Sequence, residues 1–181
     1  LARCSNTSCS LVQLSVDYDL DVVFQNYPYV SGTTATMKSI LKDVVEEGLA
    51  VSKPEHDDVI LDIGGNDGTM LSYIDQEVGH KVNIDAAQGI DSVNVSGNYT
   101  KIEGLFNKEI YHSIGVKKPK LIFSVAMFYH LNNPLDFCND IASIMDDDSV
   151  WVVQMTYLAS MLRDNIYDNI LHEHKAYYSI F

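Results

Sequence analysis

Residues 57–70 read DDVILDIGGNDGTM, and the fold turns on them. Val59, Ile60, Leu61 and Ile63 form an apolar run broken only by Asp62, the pattern of a strand buried on both faces. The run ends at Gly64, Gly65 and Gly68, which let a backbone turn tightly and come close to a ligand. The stretch after them, DGTMLSYIDQEV, is helix-like. Downstream, KVNIDAA (81–87) reads as a second strand, YTKIEGLF (99–106) as a weaker third and PKLIFSVAMFY (119–129) as a fourth. NPLDFCNDIASIM (133–145) is a helix and SVWVVQMTYL (149–158) a fifth strand. Upstream, TATMKSILKDVVEEGLAV (34–51) sets Met37, Ile40, Leu41, Val44, Val45 and Leu49 at helical spacing behind capping threonines. Strands alternating with helices predict an α/β, Rossmann-like fold: a mostly parallel sheet with helices on both faces. Residues 1–33 carry two cysteines, several tyrosines and little periodicity, so they read as a loosely structured lead-in.

The composition is that of an ordinary globular chain: 181 residues, 46% hydrophobic and 20% charged, enough for one domain with its own core. Twenty-five acids against 12 bases give a net charge of −13. Such a surface repels phosphate backbones and argues against nucleic acid as a partner, leaving a cationic or small neutral ligand. No apolar run approaches the roughly 20 residues of a membrane span, so no membrane partner is expected. Three cysteines make no disulfide framework, and a reducing, cytoplasmic setting is expected. The chain starts at Leu1 and stops at Phe181 within an aromatic-rich segment, and it reads as a fragment of a longer protein. Nothing in the sequence sets the oligomeric state.

Ligands of open parallel sheets bind beyond the carboxyl ends of the strands, where the glycine loop lies. Asp85, at the end of the second strand, stands 21 residues after Gly64, as an acid that holds ribose hydroxyls should. The dinucleotide fingerprint is G-x-G-x-x-G, whereas this loop is Gly-Gly-Asn-Asp-Gly. Asp67 would repel a pyrophosphate, and Asp62 adds a second acid beside the same space. A methyl donor bearing an ammonium and a sulfonium tolerates both, so the loop favours S-adenosylmethionine over NAD. A strand–turn–helix junction without a ligand is the bland alternative.

A second motif, NILHEHKAYY, occupies residues 169–178. It admits three readings: a metal site, an acid–base site or a polar surface segment. His-x-His can chelate from an extended strand, but zinc needs further ligands, and His80 and His112 qualify only by elimination.

Together these stretches resemble a family. DIGGNDGTML is similar to the glycine loop of sugar C-methyltransferases acting on nucleotide-linked keto-deoxysugars. CSLVQL resembles the end of that family's N-terminal zinc-binding module, VFQNYPYVSGTT its Tyr-x-Tyr-x-Ser segment, AMFYHLNNPLDF the stretch after its fourth strand, and YDNILHEHKAYYS its His-Glu-His motif. The resemblance spans residues 9–179. It departs at Leu171, where Tyr is usual, at Ala86, where Pro is usual, and at Cys4 and Cys9, which have four residues between them and no preceding cysteine pair.

The resemblance implies a class I S-adenosylmethionine-dependent methyltransferase domain over residues 34–181, ending before the last strands of its sheet. It also implies a remnant of the zinc module over residues 1–33, with Cys4 and Cys9 as half a zinc site. Asp62, Gly64, Gly65, Asn66, Asp67, Gly68, Asp85 and Phe106 would hold the cofactor. His174 would be the base that removes a proton alpha to a ketone, with Glu173 beside it, His130 bonding the substrate oxygen and Tyr29 closing the site. The substrate would be a small molecule, a nucleotide-linked sugar. Oxygen or nitrogen methylation, or a remnant without catalysis, are the rivals. Bland roles are available too: His130 as a satisfied buried histidine, Tyr27 and Tyr29 as packing aromatics, Phe106 and Cys138 as core, and residues 145–149 as a solvated turn.

Overall fold

The computed structural model describes residues 1–16, 24 and 29–180. Tyr27 of the Tyr-x-Tyr-x-Ser segment lies outside them. In chain order the elements are β1 (Ala2–Arg3), β2 (Val12–Gln13), a 3₁₀ turn (Ser31–Thr33), α1 (Ala35–Ser52), β3 (Val59–Ile63), α2 (Thr69–Ser72), β4 (His80–Asp85) and β5 (Tyr99–Glu103). There follow α3 (Lys108–Ser113), β6 (Pro119–Val125), a second 3₁₀ turn (Phe128–His130), α4 (Pro134–Ile144), β7 (Val150–Gln154), α5 (Leu158–Asp164) and β8 (Ala176–Tyr177).

Among the described residues five strands make one parallel sheet, in the order β5-β4-β3-β6-β7. β3 is central and buried at every position, as its apolar run requires. Successive residues of β3 feed opposite faces. Val59, Leu61 and Ile63 join Val82, Ile84, Ile122 and the α4 residues Phe137, Ile141 and Ile144 on one side. Ile60 joins Leu121, Phe123, Leu41, Val45, Met70 and Leu71 on the other. Helices therefore cover both faces, as the alternation predicts.

α1 begins at Thr34, whose side chain accepts the Met37 N–H, and ends at Lys53 in the left-handed region, whose N–H bonds the Leu49 carbonyl. Its Gly48 lies against Phe123, and a Cβ there would stand 2.7 Å from the ring. This close approach seats the helix on the sheet.

Two expectations give way. The helix after the glycine loop is only Thr69–Ser72, not the twelve-residue segment its spacing suggests. Ile74 dives fully buried into the core, and its carbonyl is taken by the buried Lys81 ammonium at 2.6 Å rather than by a helical N–H. The lead-in is also more ordered than a loose segment. β1 and β2 pair antiparallel, and β2 pairs in turn with β8 near the far end of the chain, Val12 opposite Tyr177 and Gln13 opposite Ala176. Among the described residues no helix is long and apolar enough to cross a membrane.

Candidate active site

The carboxyl ends of β3, β4 and β6 open into a cavity of about 520 Å³, within the range of small-molecule sites. Its floor is the glycine loop. Gly64 adopts φ 79°, and a Cβ on it would press on Met127 at 3.1 Å. At Gly65 a Cβ would run into Asp62 Oδ2 and stand 2.6 Å from Asn83 Oδ1. Both positions need glycine because other side chains already occupy the space. Asp62 and Asn66 line the cavity beside them.

Asp62 is fully buried, and its Oδ2 has no hydrogen-bond partner among the described residues. Burial first, then the charges of Asp85 and Asp67, raise its pKa well above the ordinary 3.8. An acceptor in that position suits an ammonium group, which would supply both the missing donor and the missing countercharge. Asp85 closes the other side of the loop: its Oδ2 accepts the Asn66 N–H at 2.7 Å and its Oδ1 the Ala87 N–H at 2.6 Å. Each oxygen keeps a lone pair for hydroxyl donors. Leu105 and Phe106 supply an apolar wall, with Phe106 edge-on to Phe137 at 5.4 Å. Phe106 thus faces the cavity and the core together. An acid for an ammonium, an acid for a diol and an apolar slot fit S-adenosylmethionine.

Asp67 and Gly68 are not on the cavity wall. Asp67 turns away and ties down the lead-in: its Oδ2 accepts the Gly32 N–H at 3.0 Å and its Oδ1 the Thr69 N–H at 3.0 Å. Asn66 completes the tie, accepting from Ser31 N–H and donating to the Tyr29 carbonyl, both at 3.0 Å. The repulsion of a pyrophosphate assigned to Asp67 therefore passes to Asp62 and Asp85. Gly68, at φ 81°, shapes the turn into α2.

Tyr29, His130, Glu173 and His174 line the same cavity. The His-Glu-His segment is split by a turn at 172–173. The His172 side chain is 74% exposed beside Glu173, whereas His174 is buried. The two histidines therefore do not share a face as a chelating strand would have them. Among the described residues no three His, Cys, Asp or Glu side chains converge on a metal position. His80 instead bonds Thr100 at 2.7 Å. Cys4 and Cys9 lie exposed on the β1–β2 hairpin, and two thiols supply only half of a zinc ion's ligands. Nothing in the chemistry below runs through zinc.

Hydrogen bonds fix both rings. His174 Nδ1 lies 3.1 Å from the Asn169 carbonyl and His130 Nδ1 lies 2.7 Å from the Glu173 carbonyl. A carbonyl only accepts, so Nδ1 carries the proton in each ring, and the neutral ring offers Nε2 as an acceptor. His130 in its neutral form therefore cannot donate to a substrate oxygen, the part the resemblance gave it. Burial lowers the pKa of His130 to about 4 and also lowers that of His174. Tyr129 packs against both, 4.5 Å and 4.0 Å from the two ring centres, which lie 5.2 Å from each other. The sequence held no signal for Tyr129 beyond its place before His130. Asp136 and Asp140, which also reach the cavity, follow helical i, i+4 spacing and could have been found that way.

The His130 shift has a stability consequence. Its native pKa of about 4 lies below the ordinary 6.5, so between these values the unfolded chain binds a proton that the native chain does not. Stability is unaffected above about pH 6.5 and falls as pH drops toward 4. Asp62, shifted upward, acts in the opposite sense and favours the native state at lower pH. We expect His130→Gln to remove roughly 2–3 kcal/mol of the loss seen between pH 7 and 4.5 in urea denaturation.

A family model described as "Methyltransferase domain" matches residues 34–180. The C-methyltransferase NovU of Streptomyces niveus is 24% identical over 174 residues, covering 95% of this chain and 41% of that protein. The chain thus spans about two fifths of this relative's length. Among solved structures, a methyltransferase in complex with the Haloferax volcanii Trm112 methyltransferase activator superposes with a TM-score of 0.62 at 14% identity, covering 91% of this chain and 72% of that one. The plantazolicin methyltransferase BamL, solved with a triazolic desmethylPZN analogue and SAH, gives 0.53 at 20% identity, covering 78% and 54%. At these identities the structural likeness establishes the Rossmann-like fold.

Proposed function

The chain belongs to the methyltransferase domain family, and from that premise we propose that it is an S-adenosylmethionine-dependent enzyme that methylates a carbon next to a ketone, on a nucleotide-linked sugar. One observation carries the reading. The Asp62–Asp85 half and the His174 half open into one cavity, and the Asn169 bond leaves His174 Nε2 as its basic nitrogen. The cofactor, when bound, supplies an electrophilic methyl group. Carbon is a poor nucleophile until a proton is removed, so a base and an oxygen donor are both required.

His174 Nε2 takes the proton, and Glu173, on the same cavity wall, relays it to solvent. His130 accepts a hydrogen bond from a substrate hydroxyl. The donor for the developing enolate oxygen is then Tyr29. Burial and the neighbouring Asp67 raise its pKa, so its hydroxyl keeps its proton. The relative named a C-methyltransferase supports carbon as the acceptor.

The test has two steps. Calorimetric titration should show binding of S-adenosylmethionine and S-adenosylhomocysteine but not NAD, weakened roughly 10–100-fold in Asp85→Ala, which deletes hydrogen bonds to a charged group. Solvent deuterium should then enter the acceptor carbon of a keto sugar without methyl donor. Exchange absent from a protein that binds the cofactor would point to an oxygen or nitrogen acceptor.

A further inference from the structure

The groups around the cavity are held in two different ways. Asp62, Asp85 and His130 stand at the ends of sheet strands or on the turn just after one. Tyr29 is stitched to the glycine loop through Asn66. Glu173 and His174 come instead from a stretch with no regular element between α5 and β8. Inside it a few bonds shape the turn, such as His174 N–H to the Leu171 carbonyl at 3.2 Å. These bonds shape the segment without placing it over the cavity.

Lys175 Nζ donates to Asn132 Oδ1 on the cavity wall, and the backbone anchor comes from the other end of the chain. Lys175, the residue after His174, accepts the Leu14 N–H on its carbonyl at 2.9 Å. The pairing continues as Gln13 opposite Ala176 and Val12 opposite Tyr177. A further backbone tie among the described residues, Leu158 N–H to the Tyr178 carbonyl at 2.9 Å, lies four residues beyond His174. Inward, the Glu173 carbonyl receives His130 Nδ1 and the His174 ring lies against Tyr129. Both contacts depend on the backbone arriving in register.

We infer that residues 12–14 are a positioning splint, in which the Leu14 N–H fixes the backbone next to His174 and so holds this imidazole over the cofactor cavity. The inference rests on His174 being the base proposed above. The sheet that carries the cofactor loop shares no strand with β1, β2 and β8. Breaking the splint should therefore spoil the base and spare the cofactor half.

The experiment replaces Leu14 with proline, which lacks the N–H, and with alanine, which keeps it. The His174 ring is followed by carbon-13 labelling across a pH titration, and S-adenosylmethionine binding by calorimetry. In Leu14→Pro the His174 midpoint should rise toward the ordinary 6.5 as the ring leaves its buried place. Cofactor affinity should hold, and methyl transfer should fall by about 10²-fold, the scale of a small misplacement. Leu14→Ala should match the original protein in all three. An unshifted His174 titration in a Leu14→Pro protein that still binds cofactor would overturn the inference. If Leu14→Pro does not fold, the unmodified protein provides the test in sub-denaturing urea. Exchange of the Leu14 amide and the His174 shift should respond together, and an amide that opens while His174 stays unmoved overturns the splint. A shifted titration alongside a fully active His174→Ala enzyme would keep the splint and discard the base.

Discussion

Replacing His174 with alanine is expected to slow methyl transfer by about 10²–10⁴-fold, the usual contribution of a positioned base, with cofactor affinity unchanged. The ring is buried, its Nδ1 is committed to the Asn169 carbonyl and its Nε2 is left to accept. A base must be unprotonated to work, and burial holds His174 below its ordinary 6.5. The rate should therefore climb with pH to a midpoint below 6.5 and be level at neutrality. His172→Ala is the comparison: its side chain is mostly exposed beside Glu173, and its loss should leave the rate close to the original. Single-turnover rates with saturating cofactor would separate this from a binding defect. Equal losses from both histidines would refute the division of labour drawn here.

The second large effect belongs to Gly65. A methyl group there collides with Asp62 Oδ2 and lies 2.6 Å from Asn83 Oδ1, and the Asn83 side chain is held in place. Asn83 is fully buried, with its amide nitrogen donating to the Asn66 carbonyl at 3.2 Å and to the Tyr99 hydroxyl at 3.3 Å. The Asn66 carbonyl can only accept, so the Asn83 amide cannot turn over. The backbone must move instead, carrying Asn66 away from Asp85. Gly65→Ala should lower stability by about 1–3 kcal/mol, the range for overpacking a core, and should abolish measurable cofactor binding. Gly104→Ala is the control on the same cavity wall, since its Cβ would meet only Ile110 at an ordinary 3.8 Å. Urea denaturation and calorimetry on the pair would decide it, and tight binding by Gly65→Ala would mean the loop yields more easily than its packing implies.

The sequence made the central sheet legible for a simple reason. β3 and β6 are covered on both faces, so their apolar runs are nearly continuous, whereas β4 carries only Val82 and Ile84. β1, β2 and β8 have two residues each, too few for any period to register. The His-Glu-His segment was visible as a motif but not as a geometry, because a turn separates exposed His172 from buried His174. Asp67 shows the same limit: its direction is set by the Gly32 N–H, 35 residues away, and no local rule reports such a bond. The tautomer of His130 depends likewise on a carbonyl 43 residues distant.

The pairing of Val12 with Tyr177 also orders events during synthesis. The five parallel strands have all been made once Gln154 has left the ribosome, since β7 ends there. The β1–β2 hairpin, made before them, must wait with one edge unpaired until β8 emerges. Closing a loop of roughly 160 residues adds little entropy beyond a shorter one, but the waiting edge is a template for unintended strands. The five-stranded sheet can thus form well before the segment that carries His174 is docked beside it.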